Sequence, residues 1–485
     1  MASAQFTAPP RVSSRGRQPN GNHFRRAVLL MLMTLVLPGS AQLVAGRKET
    51  GRIAMRIFFG LIIVAGLLLA IGMVFESFVY WLLSNTAVLG SVRLLLMLMA
   101  VGWAYLFVDA WRLGDPLALR QNQRLAMVGI NGVLCFSVAG TLLFASHVVG
   151  VQKDFMSAMF TDGVATGAHE GRYNVLLLGG DSGSDRWGLR PDSLSVASID
   201  AETGETVLFG LPRNMLNFPF PEGSIMDEQF PDGYDCGNEC ELNSLATWAE
   251  DHKDLFKGFA NPGVEATKEG VEGITGLDIN YYAMVNMRGF RRLVTAVGGV
   301  TLKVRDPIPI GGGGGPITGY IQPGKRKLNG FETLWFARSR VAADDYSRMA
   351  RQKCVLNAML QQLSPQTVVL KFDKIAKASQ ALITTDLPRG EVGRFMELAV
   401  KARKLPVRSV SFVPPMISTS APDIDKVHET VEKAIDRSEG KKSATKTSKS
   451  AKKAPTPSSG TTGGSIGNIR EGYAANQATD LSAAC

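Results

Sequence analysis

Three apolar stretches near the start limit what this 485-residue chain can fold into. Ile53 to Phe75, Val92 to Ala110 and Leu125 to Val149 are each long enough to cross a hydrocarbon layer of roughly 30 Å at about 1.5 Å per helical residue. Arg56, Arg93 and Asp109 lie near the ends of the first two, where side chains can reach the interface. A fourth run, Ala27 to Ala45, is broken by Pro38, Gly39, Ser40 and Gln42, and basic residues flank it on both sides. Helix breakers at membrane depth survive only where protein covers them, so this run is expected to be re-entrant or interfacial.

Charge sets the expected orientation. Residues 1–57 carry nine basic side chains and the loop Glu76–Ser91 carries none, whereas Arg112, Arg120 and Arg124 sit in the next loop. The positive-inside rule then places everything after about residue 150 beyond the membrane. The net charge of +10 resides in the ends, +8 in residues 1–57 and +4 in residues 438–485, which leaves the middle at −2. That distribution suits a leader facing anionic lipid and a solvated tail, and it gives no support to nucleic-acid binding. The expected partition is a disordered basic leader over 1–25, a membrane region over 26–150, a linker over 151–171, a domain over 172–437, and a disordered Lys/Ser/Thr/Gly-rich tail over 438–485.

Cys236 and Cys240, in Y-D-C-G-N-E-C, are close enough for a small-loop disulfide on an oxidising face. Cys135, Cys354 and Cys485 are expected to be unpaired. Zinc is disfavoured, because a structural site wants four ligands and His252 has no partners at matching spacing.

Within 172–437, Y-N-V-L-L-L-G-G-D reads as a buried strand delivering Asp181 at its C-terminal end, where ligands of open α/β sheets gather. Strands follow at Asp192–Ile199 and Glu205–Leu211, then at Tyr281–Met284 and Val300–Val304. Helical patterning covers Leu242–Lys253, Pro262–Thr275 and Met287–Ala296. The run Gly311–Gly315 reads as a loop, with neither the lysine nor the helix of a phosphate-binding P-loop.

Six arginines carry the chemistry: Arg190 in R-P-D-S, Arg213 in L-P-R-N, and Arg338, Arg340, Arg348 and Arg351 in A-R-S-R-V-A-A-D-D-Y-S-R-M-A-R-Q. A planar, permanently charged fork grips pairs of phosphate oxygens, and nearby carboxylates can hold a divalent cation. Arg338 and Arg340 are two apart, about 200° around a regular helix, so both face one ligand only at a helix end or in an extended turn. Asp345, Arg348 and Gln352 share one helical face, where a plain surface ion pair is the duller reading. Met349, Val355, Leu356 and Met359 read as the buried face of that helix.

The ordered succession N-V-L-L-L-G-G-D, R-P-D-S-L-S-V-A-S-I-D, V-L-F-G-L-P-R-N, A-V-G-G-V-T-L-K-V, L-N-G-F-E-T-L-W-F-A-R-S-R and D-D-Y-S-R-M-A-R-Q, from Tyr173 to Gln352, resembles the LytR-CpsA-Psr family of cell-wall ligases. The Cys236–Cys240 segment looks like the actinobacterial version. The resemblance implies an N-terminal α-helical membrane region followed by an extracytoplasmic α/β domain, α-β-α with a central mixed sheet. It further implies transfer of a glycopolymer from a polyprenyl-pyrophosphate carrier to peptidoglycan at the outer face of the cytoplasmic membrane. By the same resemblance Asp181 and Asp192 hold Mg2+, and Arg213, Arg338 and Arg340 grip phosphate. Arg190, Arg348, Arg351 and Gln352 complete that shell, and Asp345 either orients an arginine or takes the acceptor's proton. Two positions depart from the usual pattern, Asn214 where Asp commonly follows L-P-R and Ala350 where an acidic residue is common. A prenyl chain also demands an apolar groove, for which Leu194, Val196, Ile199, Phe290, Leu293, Leu334, Phe336 and Leu356 are candidates. Two other classes stay open: a prenyl-pyrophosphate pyrophosphatase, and a non-catalytic envelope regulator or transcriptional attenuator.

Overall fold

The computed structural model describes residues 21–181, 190–312, 315–341, 343–363, 371, 374–375, 383–440, 476, 480–481 and 485. The chain divides into two compact units, the first comprising Met1–Val74 and Gly90–Gly150, the second Phe75–Leu89 and Val151–Cys485.

The N-terminal part contains α1 (Gly21–Val36), α2 (Ser40–Val44), α3 (Lys48–Val74), α4 (Glu76–Ser84), α5 (Thr86–Leu113) and α6 (Gln121–Met159). By length and composition α3, α5 and α6 can each cross a membrane, and they contain the three expected spans to within a residue. The fourth run breaks where Pro38 and Gly39 require it. Gly39 takes φ 94°, and a Cβ there would lie 2.6 Å from the Gly51 carbonyl oxygen, so α2 turns back tightly onto α3. Ala27, Leu30 and Met31 of α1 are buried among Ala110, Leu119 and Met127. Asp109, near the end of its span, does not stand alone. It is buried and pairs with Arg47 at 2.5 Å, as a carboxylate among apolar helices must.

The segment 151–171 is only in part a linker. Residues 151–159 contain no Pro or Gly and continue α6 without interruption.

The second unit is built on a six-stranded sheet. Its strands are β1 (Arg172–Asp181), β2 (Arg190–Asp200), β3 (Thr206–Leu211), β4 (Tyr281–Asn286), β9 (Ile383–Thr385) and β10 (Arg408–Ser411), in the order β10-β3-β2-β1-β4-β9. The β1/β4 and β3/β10 pairs are parallel and the remaining pairs antiparallel, which makes the sheet mixed. Two ribbons stand apart from it, β5 (Val300–Val304) with β8 (Gly324–Leu328), and β6 (Ile308–Gly311) with β7 (Ile317–Ile321).

Its helices are α7 (Ile225–Gln229), α8 (Leu245–Asp251), α9 (Pro262–Thr275), α10 (Met287–Val297), α11 (Gly330–Arg338), α12 (Asp345–Gln362), α13 (Arg389–Ala402) and α14 (Ile424–Ser438). Side chains alternate across a strand, so each face of the sheet has its own partners. Leu176, Leu178, Val196 and Phe209 meet α8, α9 and α14 in the main core. Leu177, Ala197, Ile199 and Leu208 point the other way, toward Leu356 and Leu360 of α12. The layers are therefore α-β-α. A second core joins α10, α11 and α12 to the ribbons through Val294, Val300, Leu302, Phe336 and Val355. Within this unit α4 packs against α13.

Two expectations about the C-terminal region are corrected. Cys354 and Cys485 are not free thiols; they form a disulfide, and among the described cysteines Cys135 alone is unpaired. The tail is not wholly detached, because Leu481 is buried against Ala197, Leu208 and Val407, and Asn476 Nδ2 donates to the Tyr346 carbonyl at 2.6 Å. Residues 441–475 lie outside the described residues, and with them most of the expected disordered tail; so do residues 1–20 of the leader expected over 1–25, whose residues 21–25 instead open α1.

A candidate active site at the strand ends

The site begins where β1 ends and β2 starts. Their register shifts between Gly179 and Gly180, so Asp181 pairs with Arg190 and Gly179 with Ser193, which brings the Asp181 and Asp192 positions to the same end of these two central strands. The side chain of Asp181 lies outside the described residues. Asp192 Oδ1 accepts from Arg213 Nη1 at 2.5 Å. Arg213 follows β3, and its backbone carbonyl accepts from Asn243 N at 3.0 Å, three residues past the end of the small Cys236–Cys240 disulfide loop, which forms as expected.

Helices α11 and α12 supply the rest. An Asn329/Glu332 capping box starts α11, and Arg338 is its last residue. Ser339 is extended (φ −59°, ψ 129°), so Arg340 lies past the helix end. That geometry meets the condition for Arg338 and Arg340 to face one ligand, and both line the cavity described below. Asp344 caps α12 by accepting from Ser347 N at 2.7 Å. Asp345, in the first turn, is then surrounded by Arg348 Nη2 at 3.0 Å, Arg213 Nε at 3.6 Å and Arg340 Nη1 at 3.8 Å. Contact with three guanidinium groups suits a residue that orients arginines. The plain surface ion pair between Asp345 and Arg348 is excluded, because Arg348 is only 4% exposed and also donates to the Asp192 carbonyl at 2.8 Å.

Burial and charge compete at these arginines. Burial works against the charge of Arg213, but Asp345 and Asp192 more than offset it and hold the guanidinium above its ordinary range. Burial lowers Arg348 despite Asp345, and it lowers Arg351, beside Arg348, to about 10. Arg351 does not line the cavity; it is 1% exposed and donates to the Ser339 carbonyl, fixing the end of α11 that places Arg338 and Arg340. Arg190 is exposed, donates to Asn243 Oδ1 at 3.4 Å, and also lies outside the cavity lining. Gln352 lines the cavity, accepting from Ser193 Oγ at 3.0 Å and donating to the Ala337 carbonyl at 3.2 Å.

The cavity itself measures about 740 Å³. One end is polar, formed by Asp192, Arg338, Arg340, Arg348 and Gln352; the other is apolar, with Leu177, Met284, Phe290, Leu334 and Leu356. Phe290, Leu334 and Leu356 were among the groove candidates. Leu194 and Val196 are not part of the apolar end: on β2 the cavity faces Ser193 and Ser195, and the alternate residues turn into the main core. Phe336 is buried in the second core, and Ile199 and Leu293 do not line the cavity.

Sequence reasoning missed Lys353, the residue after Gln352. It is fully buried, donates to Ser409 Oγ at 3.0 Å and Ser411 Oγ at 2.9 Å, and burial lowers its ammonium to about 7. Nothing in the helical pattern marks it, since its serine partners come from β10.

Among the described residues no three His, Cys, Asp or Glu side chains converge as a metal cage. Magnesium does not require one, because it retains waters and takes phosphate oxygens alongside one or two carboxylates. Asp192 at the polar end supplies hard oxygen of this kind, and Asp345 Oδ1 is buried without a hydrogen-bond partner. The donor set fits that ion.

Known proteins resemble this one over the same region. "Biofilm regulatory protein A" of Streptococcus mutans is 26% identical over 271 residues, 54% of this chain and 62% of the relative. The "Polyisoprenyl-teichoic acid--peptidoglycan teichoic acid transferase TagU" of Enterococcus faecalis is 27% identical over 220 residues, 44% and 61% of the two chains. The "Cell wall biosynthesis protein LcpA" of Corynebacterium glutamicum is 23% identical over 310 residues, 59% and 58%. The chain thus spans about three fifths of the length of these relatives. The crystal structure of Bacillus subtilis TagV superimposes with a TM-score of 0.40 at 21% identity, covering 56% of this chain and 98% of that one. The family model described as "LytR_cpsA_psr family" matches residues 146–414, a stretch that contains β1, β2 and the arginine cluster. Matched over more than half its length, this chain belongs to the LytR_cpsA_psr family.

Proposed function

We propose that the protein is a membrane-anchored phosphotransferase that moves a glycopolymer from a polyprenyl-pyrophosphate carrier to peptidoglycan. The observation that carries this reading is the cavity's polarity: arginines and the Asp192 carboxylate at one end and aliphatic and aromatic side chains at the other. A pyrophosphate joined to a prenyl chain has the same two-ended character. The names of the Enterococcus faecalis and Bacillus subtilis relatives describe transfer of teichoic acid from a polyisoprenyl carrier to peptidoglycan, which supports the same class of chemistry here.

In the proposed reaction an acceptor hydroxyl oxygen bonds to the sugar-linked phosphorus and the bond from that phosphorus to the polyprenyl phosphate breaks, the hydroxyl proton leaving to solvent or with the departing phosphate. Negative charge grows on the non-bridging oxygens, and fixed guanidinium groups stabilise it where water is excluded. Arg338 and Arg340 grip those oxygens from the end of α11, Arg213 holds Asp192 in place, and Asp345 aligns Arg213, Arg340 and Arg348. Asp192, with Asp181 at the neighbouring strand end, would hold magnesium, whose charge would offset the negative charge that develops on the phosphate. Arg351 and Gln352 keep α11 and α12 in register.

Two further features support a location beyond the membrane. Disulfides at Cys236–Cys240 and Cys354–Cys485 suit an oxidising compartment. The segment Phe75–Leu89, expected outside from charge, is part of the same compact unit as the catalytic cluster.

The test is incubation of the full-length protein with magnesium, a lipid-linked glycan and peptidoglycan oligomers. Polymer attached to peptidoglycan is expected, and Arg338→Ala or Arg340→Ala should lower the rate at least a hundredfold with the fold intact. Phosphate release without transfer would indicate a pyrophosphatase, binding without turnover a regulator, and full activity in both variants would remove the arginines from the mechanism.

A further inference from the structure

The cavity is a groove between one face of the sheet and helix α12. Along the sheet its floor consists of Gly179 and Ser193, then Leu177 and Ser195, which are cross-strand partners. The next row on that face, two residues farther along β2, is Ala197 beside Leu208 of β3. Neither residue lines the cavity; both belong to one buried cluster with Leu481, which is 2% exposed. The helix repeats the pattern. Arg348, Gln352, Val355 and Leu356 face the cavity, whereas Leu356 and Leu360 continue into the cluster around Leu481. Leu177 and Leu356 therefore belong both to the cavity wall and to the packing around Leu481.

What holds Leu481 there is covalent as well as apolar. Cys485 is bonded to Cys354, two residues beyond Gln352 on α12, and packs against both this cluster and the second core. Leu481 N donates to the Val407 carbonyl at 3.1 Å, Asp480 bridges to Arg408, and Asn476 donates to the Tyr346 carbonyl. Leu481 and Cys485 are thereby held in the cluster that includes Leu177 and Leu356 of the groove wall.

We infer that the strap contact of Leu481, pinned by the Cys354–Cys485 disulfide, closes the inner end of the apolar cavity and sets how long a prenyl chain the site accepts. The inference rests on the lipid reading of the cavity given above. One further row of the sheet is two strand residues, roughly 7 Å, enough for about one more five-carbon unit of an isoprenoid chain. Burying that unit is expected to raise affinity at least about tenfold.

The experiment uses the detergent-solubilised full chain and prenyl monophosphates that differ by one five-carbon unit, with binding followed by the fluorescence of Trp335 in the cavity wall. Wild type is expected to gain affinity with each unit up to a limiting length and then level off. Leu481→Ala and, separately, Cys485→Ser should move that limit outward by one unit or more, with at least a tenfold gain for the first lipid beyond the wild-type limit. Circular dichroism checks the fold of each variant, and the two variants perturb the strap by different routes, so failure of one to fold leaves the other informative. An unchanged limiting length in a folded variant overturns the strap's role while leaving the lipid reading standing. Absence of binding at every length in the wild type overturns the lipid reading and this inference with it.

Discussion

Lys353→Met replaces a fully buried ammonium with an apolar side chain of similar length, and the structure gives the size and sign of the effect. Burial lowers the folded-state pKa from 10.5 to about 7. A lysine whose folded pKa is depressed binds fewer protons in the native than in the unfolded state between those two values, so wild-type stability rises as pH climbs from about 7 to 10.5. At about 1.4 kcal/mol per pKa unit, this group makes the native state ~4 kcal/mol less stable at pH 7 than above pH 10.5. The variant escapes that cost but leaves Ser409 and Ser411 without their partner, a loss of about 1 kcal/mol each. Lys353→Met is therefore expected to be more stable than wild type at pH 7 by ~2 kcal/mol, and the two should cross near pH 9. Thermal unfolding of the full chain in one detergent, followed by tryptophan fluorescence from pH 6.5 to 9.5, reads this as a Tm gap that closes with rising pH. A gap independent of pH, or a variant less stable at pH 7, would falsify the account of Lys353 as a desolvated amine.

Two other perturbations follow from the site. Asn329→Ala removes the cap of α11 and should cost about 1 kcal/mol in chemical denaturation; because Arg338 and Arg340 sit at the far end of that helix, turnover should also fall, and unchanged turnover would show that the cap does not govern their placement. Chelation with EDTA should stop transfer, restored by magnesium and not by calcium, because the few carboxylates at the polar end suit an ion that keeps its waters; turnover that survives chelation would remove the metal from the proposal.

The local parts of this structure were readable in the sequence because local chemistry decides them. Pro38 and Gly39 break the first apolar run, apolar length delimits α3, α5 and α6, and the glycines at 179 and 180 end β1 beside Asp181. The helix-end condition on Arg338 and Arg340 was likewise a matter of spacing, and Ser339 satisfies it. What escaped depends on partners far away in sequence. Cys354 and Cys485 are separated by 131 positions, and Asp109 finds its cation at Arg47. Strand β2 is buried on both faces, so its pattern does not distinguish the row Leu194 and Val196 that enters the core from the row Ser193 and Ser195 that faces the cavity. Lys353 looked like an ordinary helical lysine, since only β10, some fifty residues on, defines its surroundings.

The packing of α4 against α13 imposes an order of events during synthesis. Helix α4 emerges early, yet its partner begins at Arg389, roughly 300 residues later, with α5, α6 and five of the six strands of the central sheet in between. A contact so distant along the chain forms after most of the domain has emerged, so the apolar residues of α4 wait without their partner while translation continues. A fragment engineered to start after α6 would never form this contact, and it would leave the α4-facing side of α13 open to solvent.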